Sequence, residues 1–262
     1  MKLPIYQINS FASGPFSGNP AAVCPLPNWL EDDLLQKIAA EIRLTTAFFV
    51  GKEGEYEIRW FTPATEISGI CGHGTLAAAF VAATELDDPS DSIGFSIKDG
   101  HLEVSRRRNG TYLLDLPALV PRPLSDADAI KATFASKAKS VLAALDLFVV
   151  FPCADDVVEF APDYRALLSL PCRAAVITAR GNGDIDFVSR WFCPKQGEEE
   201  DTGFTGSAHC SLVPYWAQQL GRCSLRAHQP SPRGATIDCE LRADRVLLHY
   251  TAAKYMEGQI YL

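Results

Sequence analysis

Two short stretches of this chain carry the residue types that could hold an anion and move a proton. In the first, Cys71-Gly72-His73-Gly74-Thr75 leads into an apolar run. Glycines at such a place let the backbone come close to a ligand, and the free N–H groups of a first helical turn, with the helix dipole behind them, form an anion site. A carboxylate is the expected guest. His73 stands at the mouth of that turn, where an imidazole could hydrogen-bond a substrate or transfer a proton near neutral pH, or could cap an ordinary strand-to-helix turn. In the second stretch, Thr205-Gly206-Ser207-Ala208-His209 offers the same backbone geometry, with Ser207 as a hydroxyl cap. A serine cap is also a common structural device. Glu198-Glu199-Glu200-Asp201 runs just before it. Charge runs of this kind are usually solvated loops, yet Asp201, nearest the turn, could orient a substrate amine or hydroxyl or shuttle a proton. His209 and Cys210 fall inside the following helix and read as packing residues.

The elements that must position these turns are themselves written twice. Trp60-Phe61-Thr62-Pro63 leads through Glu66 to the first turn, and Trp191-Phe192-Cys193-Pro194 leads through Glu200-Asp201 to the second. The two Trp-Phe pairs lie 131 residues apart in a chain of 262, which predicts two similar halves with a site between them. Residues 75–86 are apolar on nearly every face and rich in small side chains, and 208–220 are largely apolar as well. Both therefore read as buried helices. Residues 30–42 have the spacing of an amphipathic helix. Short β-rich runs appear at 3–8, 21–24, 47–50, 56–61, 93–97, 102–107 and 111–116, then at 147–151, 174–178, 185–191, 224–228, 235–241 and 245–250. Residues 181–184 read as a hairpin turn. The Ala-, Lys- and Asp-rich segment 124–145, after Pro121 and Pro123, is expected to be a helix and a domain connector. The expectation is an α+β chain of two domains, 1–117 and 118–262, with the terminal GQIYL a strand that could cross back to the first.

Composition narrows the function. A net charge of -8 and a pI near 5.2 argue against nucleic-acid phosphates or an anionic membrane as the main partner. The start, MKLPIYQI, does not read as a signal peptide, and no stretch reaches the roughly 18 apolar residues of a membrane span. Eight scattered cysteines without a CxxC suggest reduced, mostly buried thiols and a cytosolic protein. Neither HExxH nor a paired-cysteine metal spacing occurs, so no metal is expected. GxGxxG after a strand, GxxxxGK[ST] and GxSxG are absent too, which leaves nucleotide cofactors and serine-hydrolase chemistry without support.

In this order and spacing the pieces resemble the PhzF-like (phenazine-biosynthesis-like) family within the diaminopimelate epimerase fold. The resemblance covers the whole length. Phe11, Phe16 and Gly18-Asn19-Pro20-Ala21-Ala22-Val23 are similar to the family's F-x-GNPAAV opening. Trp60-Phe61-Thr62-Pro63, Gly72-His73-Gly74-Thr75-Leu76, Glu200-Asp201 and Thr205-Gly206-Ser207-Ala208-His209 follow. The resemblance implies two similar domains, each a mixed or antiparallel sheet wrapped around a central helix, with a cleft site and a homodimer. It further implies a cofactor-independent isomerase moving a proton on a small carboxylic acid, a dihydro-hydroxyanthranilate being the best-known substrate. His73, Asp201, Gly72, Gly206 and Ser207 would bind or orient that substrate, with Gly74 in the same turn, and His73 and Asp201 are the candidates for catalysis.

The family's acid/base is a glutamate in L-S-E-T-x-F, and here the stretch reads Leu44-Thr45-Thr46-Ala47-Phe48-Phe49. A hydroxyl with a pKa far above 7 cannot act as a general base unaided. One extra residue also lies between Glu66 and Gly72, and another between Asp201 and Thr205, relative to the family pattern. Three readings stay open. An isomerase could use another acid/base, with Glu41, His73 and Asp201 the candidates. The protein could keep the pocket without the reaction, as a small-acid binder or scaffold. A two-cysteine racemase or epimerase is suggested by Cys71-Gly72-His73-Gly74, which resembles the first cysteine motif of proline racemases. That third reading needs a thiol in Asp201-Thr202-Gly203-Phe204, where there is none, so Cys71 reads as a small buried residue although a thiolate at a helix N-terminus is chemically possible.

Overall fold

The structure is a computed structural model and describes every residue except 13, 99, 108, 125, 126, 135–137, 194 and 196–202. The chain packs as two compact units, Met1–Asp115 with Leu248–Leu262, and Leu116–Leu247. The first unit opens with β1 (Lys2–Ser10), β2 (Asn19–Pro25), α1 (Asp32–Ile42), β3 (Thr46–Lys52), β4 (Glu55–Phe61), α2 (Gly72–Glu85), β5 (Ser92–Ile97), β6 (Gly100–Arg106) and β7 (Tyr112–Pro117). Next come β8 (Arg122–Pro123), α3 (Ala127–Thr133), β9 (Ser140–Ala143), β10 (Leu147–Val150), α4 (Ala154–Val158), α5 (Tyr164–Leu168), β11 (Ala175–Arg180) and β12 (Phe187–Phe192). A 3-10 turn (Gly206–Ala208) then precedes α6 (His209–Leu220), β13 (Ser224–Gln229), β14 (Ala235–Arg242), β15 (Arg245–Tyr250) and β16 (Ala252–Tyr261).

Both units follow one pairing rule. In the first, β1 and β2 are antiparallel, β2 and β3 parallel, β3 and β4 antiparallel, β4 and β5 parallel, β5 and β6 antiparallel. In the second, β9 to β14 repeat that alternation pair for pair. Parallel neighbours cannot be joined by a tight turn and need a crossover, usually helical. Accordingly α1 links β2 to β3, α2 links β4 to β5, α4 and α5 link β10 to β11, and α6 links β12 to β13. The duplicated Trp-Phe motif marks the strand that feeds the central crossover in each unit.

The two helices of the first unit differ because their sequences do. Leu35, Ile38 and Ala39 give α1 one apolar stripe, which packs with Cys24, Phe48 and Phe61. In α2, Leu76, Ala77, Ala78, Ala79, Val81 and Ala82 are all fully buried, and the helix touches β1, β2, β3, β5, β6 and β16. Small side chains allow that approach from so many sides. Phe49, next to Phe48 in β3 and so on the other face, packs edge-on against Tyr56 and Phe95. In the second unit α6 holds the same central place. Trp216 lies parallel to Phe187 of β12 and donates Nε1–H to Thr178 of β11, while Tyr215 packs on Phe148 of β10. Pro214 inside α6 cannot donate to the Cys210 carbonyl one turn back. Leu119 N–H takes that carbonyl instead, at 2.7 Å.

The terminal strand is longer than GQIYL, pairing with β1 from Lys2 opposite Tyr261 to Ser10 opposite Ala252. The hairpin at 181–184 joins β11 to β12, with Gly183 at φ 62°. The expectation for 124–145 needs correction. Among the described residues only α3 is helical there, and β9 is a strand. Ala and Lys favour a helix, but β9 is the antiparallel neighbour that β10 requires, and Val141 is buried in doing so, so tertiary pairing outweighs local propensity. The five-residue helices α4 and α5 were not expected, being too short to show a period. All eight cysteines are free thiols. Among the described residues no helix is long and apolar enough to cross a membrane.

Candidate functional site

Gly72, His73 and Gly74 form the first turn of α2, after Cys71 at the N-cap. The first helical bond runs from Thr75 N–H to the Cys71 carbonyl at 3.0 Å, and Thr75 Oγ1 donates to the same oxygen at 2.8 Å. Ser10 Oγ, from β1, donates to the His73 carbonyl at 2.8 Å. These two hydroxyls fix the turn while the N–H groups of residues 72–74 stay outside the helical ladder, directed at whatever lies before the helix. The first turn carries no acidic side chain, so its dipole is uncompensated by the helix itself.

Gly74 has a packing reason to be glycine. A Cβ there would sit 2.7 Å from Trp60 Cδ1 and 3.1 Å from Cys71 Sγ. Trp60 is only 2% exposed and cannot swing away. Gly74→Ala is therefore expected to destabilise the protein by about 1–3 kcal/mol through overpacking, although Gly-to-Ala inside a helix ordinarily stabilises by up to about 1 kcal/mol. Urea unfolding decides it, and a variant more stable than wild type would refute the packing argument.

In the second unit Gly206 and Ser207 lie in the 3-10 turn before α6, both buried. Neither Ser207 nor Thr205 caps through its side chain; the hydroxyl cap expected at Ser207 is replaced by the tighter turn. Gln229 Oε1 accepts from Thr205 N–H at 2.9 Å, and Gln229 Nε2 donates to Ser231 Oγ at 2.9 Å. His209 is fully buried, stacks on Phe204 with ring centroids 4.3 Å apart, and reaches the Thr205 carbonyl through Nδ1 at 2.9 Å. A carbonyl only accepts, so Nδ1 carries the proton. Burial, partly opposed by that bond, lowers the His209 pKa to about 4, so the ring is neutral at pH 7. The bond repeats that of Thr75 to Cys71: in each unit a side chain of the central helix holds the carbonyl four residues back.

Asp201 lies outside the described residues, as do Glu198, Glu199 and Glu200. Thr46 is fully buried and its hydroxyl donates to the Leu44 carbonyl at 3.1 Å; the Thr45 carbonyl accepts from Ala22 N–H at 2.9 Å. Glu66 makes a two-point ion pair with Arg59 at 2.7 and 3.0 Å. Glu41 is exposed on α1. Ser10 and Gln229 are the contributors that local sequence did not reveal. Ser10 acts 63 residues away and Gln229 acts 24 residues away, so no short motif contains them.

Two units with the same alternating strand order, each built around a central helix that begins at a glycine turn, define the diaminopimelate epimerase-like class of fold. A hydroxyproline epimerase of Agrobacterium vitis shares that fold alone, at 10% identity and a TM-score of 0.62 over 99% of this chain and 91% of that one. The chain itself belongs to the phenazine biosynthesis-like protein family, whose pattern matches residues 8–258. An uncharacterized isomerase of Pseudomonas aeruginosa is 45% identical over 263 residues, covering 100% of both chains. The crystal structure of a PhzF family protein from Enterococcus faecalis superposes with a TM-score of 0.93 at 38% identity, again over 100% of each chain.

Proposed function

We propose that this protein is a cofactor-independent isomerase that moves a proton on a small carboxylic acid, acting in the cytosol as a homodimer. The observation that carries the reading is the first turn of α2, where unladdered N–H groups, a helix dipole and an imidazole meet in a turn that itself bears no acidic side chain. Family membership and the isomerase name of the P. aeruginosa relative support it. Gly72 and Gly74 donate backbone N–H groups to the acid, and His73 donates or accepts a proton. Gly206 and Ser207 supply donors of the same kind in the second unit, and Asp201 takes the carboxylate role that the family resemblance gives it.

The test is solvent deuterium incorporation, followed by NMR, across a panel of small unsaturated and amino-substituted carboxylic acids. Exchange at one carbon is expected, falling on the order of 100-fold or more in His73→Ala and in Asp201→Asn. A second reading, a small-acid binder without turnover, is favoured by one observation: Thr46 is buried with its hydroxyl committed to Leu44, so no side chain of that stretch can act as a base. Acids that bind wild type yet never exchange would select it and end the isomerase reading.

A further inference from the structure

β16 is an edge of the first unit, and it lacks the guards that sheet edges usually carry. Among the described residues it pairs with β1 and with no other strand, so its outer row of backbone groups is open. Such a row is a template for another strand, which short length, proline or a free lysine normally blocks. β8, which ends the strand order beyond β9 in the second unit, shows the guard: it is two residues long, Arg122 and Pro123. β16 runs over ten residues, Ala252–Tyr261, without a proline. Its one lysine, Lys254, is held by Glu85 and Glu257 at 2.9 and 2.6 Å. Large side chains stand out along it, with Met256 48% exposed, Tyr261 70% and the following Leu262 49%.

The ladder to β1 shows which groups face outward. Leu262 donates N–H to the Met1 carbonyl at 2.9 Å, and the Met1 amine donates to the Leu262 carbonyl. Antiparallel pairing alternates, so Ile260 and Gly258 also turn their backbone groups to β1, while Tyr261, Gln259 and Glu257 turn theirs away. Side chains alternate in the same way: Met256, Gly258, Ile260 and Leu262 share one face, and Glu257, Gln259 and Tyr261 the other.

We propose that β16 pairs antiparallel with β16 of a second copy of this chain, about a two-fold axis at Gln259. The proposal rests on the homodimer of the function proposed above and says where its halves join. On that axis Gln259 meets Gln259 of the second copy, Glu257 meets Tyr261, Gly258 meets Ile260, and Met256 meets Leu262. The exposed apolar side chains then cover one another, twice over by symmetry. Charge fits as well. The Lys2 ammonium lies 5.3 Å from the centroid of the Tyr261 ring, so the Glu257 carboxylate of one copy comes against a ring that carries a cation in the other. An axis at Glu257 would set two carboxylates opposite each other, which destabilises a strand pair. An axis at Gly258 or at Ile260 would set Leu262 against Lys254 or against Gly258, leaving its apolar surface unmatched.

Light scattering on the eluted protein measures the mass in solution. Wild type is expected as a dimer. Gln259→Pro removes an N–H that points away from β1, so each chain keeps its own ladder while the joint is blocked. That variant is expected as a monomer with an unchanged circular dichroism spectrum. Disulfide trapping is a second measurement that does not depend on the proline variant folding. In a hydrogen-bonded antiparallel pair the Cα atoms lie about 5.5 Å apart, within reach of a disulfide. Gln259→Cys, combined with Cys153→Ser and Cys223→Ser to remove the exposed thiols, should run as a covalent dimer after mild oxidation. Lys52→Cys in the same background, exposed elsewhere on the unit, should not. A dimeric wild type that is neither split by Gln259→Pro nor trapped by Gln259→Cys would overturn the joint and leave the homodimer standing. A monomeric wild type would overturn both, while the deuterium assay still decides the isomerase. Loss of the dimer in Gln259→Pro without trapping in Gln259→Cys would overturn the axis at Gln259.

Discussion

Asp146→Ala is expected to cost about 3 kcal/mol or more of folding stability, among the largest losses available to a single substitution in this chain. Asp146 is 5% exposed, and both its oxygens are committed. Oδ1 accepts from Arg173 Nε at 2.8 Å and Oδ2 accepts from Trp191 Nε1 at 2.9 Å. Removing the carboxylate strands an indole N–H in the core and a guanidinium beside it. Arg173 keeps partial access to water, with its side chain 31% exposed, which places the cost at the lower end of the range for a broken buried pair. Urea unfolding of Asp146→Ala, Arg173→Ala and the double variant measures it as a cycle. A loss under about 1 kcal/mol in Asp146→Ala would show that the contacts do not hold the unit together.

The second large effect is acid sensitivity at His209. Its folded-state pKa is lowered to about 4 by burial, against about 6.5 for an exposed imidazole. Above pH 6.5 the ring is neutral in folded and unfolded chains alike, and its contribution is fully present. Between 6.5 and 4 the unfolded chain binds a proton that the folded chain refuses, so stability falls with pH, and the loss is complete below the folded pKa. The total is about 3 kcal/mol, of which about 2 kcal/mol is already lost at pH 5. His209→Asn keeps a donor toward the Thr205 carbonyl but does not titrate. Guanidinium unfolding at pH 7.5 and at pH 5 should show the variant losing about 2 kcal/mol less than wild type. Equal losses would refute the assignment.

Much of this fold was legible because its signals are local. Alternation marks β1, β2, β3 and β4 within a few residues of their ends, and full apolarity set the buried α2 apart from the one-faced α1. The segment 124–145 misled because propensity is a weak prior and β9 is specified by its partner β10. In the candidate site, Gly72, His73, Gly206 and Ser207 were visible as motifs. Gly74 was visible too, but the reason that it lacks a side chain was not. The ring that fills its place belongs to Trp60, on another element.

What the sequence determined by itself is the duplication: two Trp-Phe strands, two glycine turns and two apolar helices, each set by the geometry of a few consecutive residues. What only the tertiary structure decided is the partner of each buried polar group. The repeated tryptophans make the point. The register pairs Ala22 with Thr46 and Thr46 with Phe61 in the first unit, and Leu147 with Ala175 and Ala175 with Phe192 in the second. Asp146, just before Leu147, therefore occupies the place of Ala21. Trp191 finds a carboxylate there, and Trp60, with a methyl group in that place, keeps an unpaired N–H next to Cys71. Periodicity is written along a strand or helix, but a hydrogen bond across 45 residues exists only once folding has brought its two ends together.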